Sequence, residues 1–365
     1  MKQLIIILTF LITMITSCKN DKSFKISGIV PNTDSGAVRL LQLGESFFDS
    51  KEFKLKDSKF EFDGTLDYPE EFNIIYEKSG SSSTFQSFKF FVDPGSKIRI
   101  ILYPDSIKSS KITGGQTNEE YLRVESLLES KFQSQLIKLE NLYNMSSADS
   151  KKQDSILKVA DIINKDIQNW KLDYIKSNIG SIVSANLLFG LLYDIPDKTI
   201  KDYFKLLDKK LENSKYFKSV EKYLSVLPGN HFVDFDLVDS SRTSRKFSEL
   251  SKNKVTLIDF WASWCNPCRI QNKSLVKIYD QFHKQGFEIV GVSIDRDTSL
   301  FKSTIVKDKM TWVNLIDVTS QESVSKTYRS NNIPANFLID NKGIIIAKDV
   351  PINKLYSKID SLLKL

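Results

Sequence analysis

The chain holds three cysteines, and two of them, Cys265 and Cys268, stand three residues apart in the run Cys265-Asn266-Pro267-Cys268. A dithiol at that spacing can cycle between two thiols and one intramolecular disulfide, provided that one sulfur is reactive enough to start the exchange. The flanking sequence supplies that condition. Residues 254–261 form a β-branched, apolar run that reads as a buried parallel strand, and Leu275, Ile278, Tyr279 and Phe282 then recur at helical spacing. The order strand, cysteine pair, helix places Cys265 at a helix N-terminus, where unpaired backbone N–H groups and the positive end of the helix dipole favour thiolate over thiol. Cys265 is therefore expected to attack a substrate disulfide, and Cys268, one helical turn further in, to resolve the mixed disulfide. A zinc site on the same pair would need two more ligands. The two histidines, His231 and His283, stand at no ligand spacing to it, so no metal is expected.

The nonapeptide Trp261-Ala262-Ser263-Trp264-Cys265-Asn266-Pro267-Cys268-Arg269 resembles the active-site signature of the thioredoxin superfamily, and in particular the membrane-tethered TlpA and ResA-like thiol-disulfide oxidoreductases. The likeness extends to residues 287–295, which look like the family's next strand, and to 332–340, which look like its cis-proline segment and following strand. It covers about 135 residues at the C-terminus. The resemblance implies an α/β thioredoxin-like domain over 228–365, with a helical insert near 301–312. It implies a cis bond at Pro334 that turns the backbone of Ile333 toward Cys265 to pair with an extended client chain. It also implies that Asp259, six residues before Cys265, is a buried carboxylate able to take the proton of the resolving thiol. Trp264, Asn266 and Pro267 are expected to shape the docking surface. No cofactor is expected beyond the Cys265–Cys268 disulfide itself.

A peroxiredoxin would share this fold but needs Thr or Ser three residues before its peroxidatic cysteine, and that position is Ala262. Strong oxidants of the superfamily usually carry His in the dipeptide between the cysteines. Asn266-Pro267 therefore favours a reductase, which needs a membrane thiol-disulfide donor to recharge it. Exported proteins, such as apocytochromes awaiting heme or proteins with wrong disulfides, are the expected clients. A further alternative is a binding or assembly lipoprotein in which the redox chemistry is accessory.

The rest of the chain must deliver this site to its place of work. Residues 1–17 read as a signal peptide: Lys2 gives a positive start and 4–15 is an almost unbroken apolar run, too short and one-sided for a spanning helix. Ile15-Thr16-Ser17-Cys18 resembles the bacterial lipobox, which implies that Cys18 is lipidated and that 18–23 form a tether at the cell envelope, facing the periplasm. Lys19 is not the Asp that favours inner-membrane retention, so the outer membrane is favoured. From 24 to 115 short alternating runs broken by Gly, Pro and Asp predict a small all-β domain. That segment resembles the β-rich DUF4369-like domain that precedes thioredoxin-like domains in Bacteroidetes lipoproteins, through Asp93-Pro94-Gly95-Ser96 and Gly114-Gly115-Gln116-Thr117-Asn118. Residues 116–227 change to helical period, with apolar stripes such as Leu127, Phe132, Leu136 and Tyr143 that read as core of an α-helical connector. A net charge of +7 with Lys interleaved among Asp and Glu gives a solvated surface rather than a nucleic-acid patch, and 41% hydrophobic residues fit a folded chain.

Overall fold

A computed structural model of the protein describes residues 22–33, 35–42, 50–77, 87–147, 149–318, 323–328, 330 and 332–364. Cys18 and the signal segment lie outside the described residues. Contacts divide the chain into two units: residues up to 171 with Gly180–Ser184 and Asn213–Lys215, and Leu172–Ile179, Ala185–Glu212 and 216 onward. The boundary runs through the helical stretch read at 116–227, so part of that stretch belongs to each unit.

In the first unit, eight strands follow one another: β1 (Ser23–Ile29), β2 (Ala37–Gln42), β3 (Lys51–Lys54), β4 (Lys59–Thr65), β5 (Glu70–Glu77), β6 (Ser87–Val92), β7 (Lys97–Ile101) and β8 (Lys111–Thr113). They form two four-stranded sheets, ordered β4-β1-β7-β8 and β3-β2-β5-β6, which enclose one apolar core containing Ile26, Phe60, Ile74, Phe90 and Ile98. Alternation does the work here: in β1, Phe24 and Ile26 are buried while Lys25 is exposed. The two stretches that carry the resemblance to the DUF4369-like domain meet in space. The Asp93 carboxylate accepts the Thr117 N–H at 3.0 Å, and the Asn118 side chain accepts the Phe91 N–H at 3.2 Å and donates to the Gly114 carbonyl at 3.2 Å. Gly114 has φ +98° and packs so tightly on the Lys97 carbonyl that a Cβ would stand 2.2 Å from it, so only glycine fits.

Helices α1 (Gln116–Leu128), α2 (Ser134–Met145) and α3 (Ser150–Ser177) follow. A π-helical turn over Glu129–Gln133 joins α1 to α2. Phe132 stays buried, but α2 has no buried residue, and Leu127, Leu136 and Tyr143 are exposed. The stripe that the sequence reads as core is thus largely surface.

The helices α4 (Ile182–Gly190), α5 (Asp197–Phe204) and α6 (Lys215–Ser225) lie mostly in the second unit, which continues as an α/β domain. Its strands are β9 (Asp236–Asp239), β10 (Ser244–Lys246), β11 (Val255–Trp261), β12 (Phe287–Ser293), β13 (Val313–Ile316), β14 (Ala335–Asp340) and β15 (Ile345–Lys348). They form one sheet, ordered β10-β9-β13-β12-β11-β14-β15, with β11 parallel to β12 and antiparallel to β14. The intervening helices are α7 (Phe247–Leu250), α8 (Asn266–Phe282), α9 (Thr298–Asp308), α10 (Val324–Thr327) and α11 (Ile352–Leu363). All seven residues of β11 are buried, Thr256 and Asp259 among them, because both faces of the strand are covered. Val255, Leu257 and Trp261 face a core shared with α8, α9 and α11, whereas Ile258 and Phe260 face a second core with Phe247 and Tyr328. Period-two alternation then places Asp259 on the α8 side of the sheet.

Candidate active site

Cys265 is the N-cap of α8. Its sulfur accepts the Cys268 N–H at 3.2 Å, and the two sulfurs are joined as a disulfide. One backbone donor of the helix start is thereby spent on the sulfur, which is the arrangement that stabilises a thiolate once the bond is reduced. Both cysteines are buried, yet their surroundings differ. Trp264 is 65% exposed, and Asn266 and Pro267 are exposed too, so the residues that flank Cys265 in the chain present open apolar and amide surface. Cys268 is 1% exposed, inside the first turn.

The Ile333–Pro334 peptide bond is cis, and the Ile333 carbonyl oxygen lies 3.8 Å from the Cys265 sulfur. In the disulfide state that sulfur has no proton to give, so this is a contact; a reduced thiol there can donate to it. The backbone beside Cys265 therefore comes from a segment 68 residues away in sequence.

Three side chains that the sequence reading did not single out hold the loop in front of α8. Asp295, buried just past β12, accepts the Ser263 N–H at 2.9 Å and the Ser263 hydroxyl at 2.6 Å, and also the Ser293 hydroxyl at 2.7 Å. Arg269 forms a two-nitrogen pair with Asp308 of α9, with its Nη2 at 2.6 Å, and donates through Nη1 to the Ser263 carbonyl at 3.3 Å. Asp308 is held below the usual carboxylate range by Arg269 and Asn272, against the opposing effect of burial. Arg269 and Asp295 both stand inside the runs that carry the family resemblance, which was the signal available. Position 262, three before Cys265, is a buried alanine with no hydroxyl to offer a peroxide.

Asp259 is 1% exposed, and burial pushes its carboxyl up to about 7, moderated by one hydrogen bond from the Gln271 amide at 3.2 Å. The structure thus brings Cys265, Cys268, Trp264, Asn266, Pro267, Ile333 and Pro334 to one end of the sheet, with Asp259 beneath α8. Among the described residues no group of His, Cys, Asp or Glu side chains is arranged to hold a metal ion.

Residues 228–348 match the AhpC/TSA family, and residues 24–121 match a domain of unknown function, DUF4369. The thiol-disulfide oxidoreductase ResA of Geobacillus kaustophilus is 28% identical over 119 residues, covering 33% of this chain and 67% of that protein. ResA of Bacillus cereus is 27% identical over 131 residues, or 36% of this chain and 72% of that one. Among solved structures, the thioredoxin domain of a thiol-disulfide oxidoreductase from Bacteroides vulgatus is 29% identical with a TM-score of 0.36, matched over 98% of its length and 38% of this chain.

Proposed function

The chain is a thioredoxin-like thiol-disulfide oxidoreductase with an AhpC/TSA-family domain at its C-terminus and a DUF4369 region before it, and from that premise we propose that it reduces disulfides of exported proteins at the cell envelope. The observation that carries this reading is the Cys265 sulfur itself: capped by the Cys268 N–H, beside the Ile333 carbonyl, and next in the chain to exposed Trp264.

In the reduced protein the Cys265 thiolate attacks one sulfur of a client disulfide. A Cys265–client bond forms, the client S–S bond breaks, and the second client sulfur leaves as a thiolate that takes a proton from water. Cys268 then passes its proton to the Asp259 carboxylate and attacks the Cys265 sulfur. The Cys265–client bond breaks, the client sulfur leaves as a thiolate that takes a proton from water, and two electrons have moved from the Cys265–Cys268 dithiol to the client. The extended client backbone lies along Ile333, with its flanks on Trp264, Asn266 and Pro267. Asn266-Pro267 offers the thiolate no cationic side chain, which keeps the dithiol a good electron donor. A membrane thiol-disulfide donor returns the pair to the reduced state, since exported proteins live where disulfides persist.

Two measurements test the reading. Equilibrating the protein against thiol buffers while following tryptophan fluorescence is expected to give a potential near about −270 mV, whereas about −120 mV would mark a disulfide donor and overturn the direction. A lipid on Cys18 is expected to hold the protein at a bilayer, in the outer membrane. Cys18→Ala should then move it from the membrane pellet to the soluble periplasmic fraction, and a variant that stays in the pellet would sink the anchor.

A further inference from the structure

Gln271 stands one turn beyond Cys268 on α8 and is half-buried, with one side toward Asp259 and the other lining a pocket of about 410 Å³. Asn332, Pro334, Asn336, Asp349 and Tyr193 line the same pocket, so the cis-proline strand forms part of its wall. Asn336 pairs with Asp259 across β14 and β11, which puts the two side chains on one face of the sheet, but the Asn336 amide is already committed to the Val350 backbone in both directions at 3.0 Å. At the paired position on β12 stands Gly291, which has no side chain. Among the described residues, Gln271 is thus the one side chain that hydrogen-bonds Asp259.

The charged groups at the pocket are Lys348 and Asp349, which pair with each other at 3.8 Å, and Tyr193 is its one phenol. None of them contributes to the acidity of Asp259, which is set by burial and the Gln271 bond. The chemistry of the partner then decides how the carboxyl behaves. An ionised carboxylate only accepts hydrogen bonds, and the Gln271 N–H meets that need; a protonated carboxyl donates, and the Gln271 carbonyl can accept after the amide turns over. A lysine in this place would hold Asp259 ionised, and a leucine would leave a buried oxygen without a partner.

Resting on the reading of Asp259 as the proton acceptor of Cys268, we propose that Gln271 is a positioning residue for the exchange reaction, holding the Asp259 carboxyl in both protonation states and linking it to the solvent-open pocket. A neutral, two-way partner lets the carboxyl take a proton during resolution and lose it again before the next turnover. Its place in the pocket wall gives that proton a short way to water.

The test uses the full-length oxidised protein, in which the cysteines do not titrate, with carbon-13 at the aspartate carboxyls. Asp259→Asn identifies the Asp259 signal by its loss. Gln271→Leu is expected to raise the Asp259 midpoint by about one pH unit or more, the effect of removing a hydrogen bond to a charged acceptor. Gln271→Glu, close to isosteric and so the safer variant for folding, is expected to raise it as well, because two carboxylates then share one site. In the reduced protein the pH midpoint of resolution with a model peptide disulfide should move by the same amount. An unchanged midpoint in both variants overturns the role of Gln271. A resolution profile unaltered in Asp259→Asn would instead remove Asp259 from the mechanism, which separates the two failures.

Discussion

Cys268→Ser is expected to turn the protein from a catalyst into a trap. The first exchange needs only the Cys265 thiolate, whose stabilisation comes from the start of α8, and serine at 268 leaves that in place. The second exchange needs a sulfur at 268. Without it the Cys265–client bond persists, and covalent adducts should accumulate on non-reducing gels and disappear with reductant. Cys265→Ser is expected to give no adducts and to lower disulfide reduction by roughly a thousandfold or more, as loss of a nucleophile does. The asymmetry follows from position: Cys265 caps α8 beside exposed Trp264, Asn266 and Pro267, whereas Cys268 is 1% exposed inside the first turn. Adducts forming in Cys265→Ser and not in Cys268→Ser would reverse the assignment of the two sulfurs. Mass spectrometry of the trapped species also identifies the clients.

What could be read in advance was local. A β-branched run, a cysteine pair and a helical period in succession are legible because each is a pattern over a few neighbouring residues, and they place Cys265 at the helix start before any tertiary contact is known. Asp259 is legible through the family resemblance, six residues before Cys265, and strand alternation puts it on the same side as Leu257 and Trp261. Its partner is not. Which residue of α8 reaches Asp259 depends on how the helix crosses the strand, and no periodicity marks Gln271 as different from its neighbours. The clamps on the Cys265 loop are hidden for the same reason, because Ser263–Asp295 and Arg269–Asp308 join residues 32 and 39 apart. In the helical region the pattern misled. Leu127, Leu136 and Tyr143 sit near core spacing, but all three are exposed and α2 buries no residue, because an apolar stripe becomes core only where another element packs on it.

Asp259→Asn is expected to stabilise the protein, and to do so only over part of the pH range. The carboxyl of an unfolded chain titrates near about 3.9, whereas burial pushes that of folded Asp259 up to about 7. Between those two values the folded protein holds a proton that the unfolded chain has released, so raising the pH through that window favours unfolding. The penalty is absent below about pH 4 and complete above about pH 7; a difference of about three units, at about 1.4 kcal/mol each, makes it on the order of 4 kcal/mol. Asparagine carries no charge in either state and escapes it. Urea unfolding of the oxidised protein should therefore show wild type and variant of similar stability near pH 4, with the variant ahead at pH 8. The same substitution removes the acceptor for the Cys268 proton, and should slow resolution by about a hundredfold or more at neutral pH, in the range of positioned acid-base groups. Equal stability at both pH values would mean that Asp259 titrates normally. A variant less stable at pH 8 would make it a structural carboxylate held by partners other than Gln271. Gain in stability and loss of resolution over one pH window is the pair of effects that a buried acid-base group imposes, because the desolvation that disfavours its charge is also what brings its acidity near neutrality.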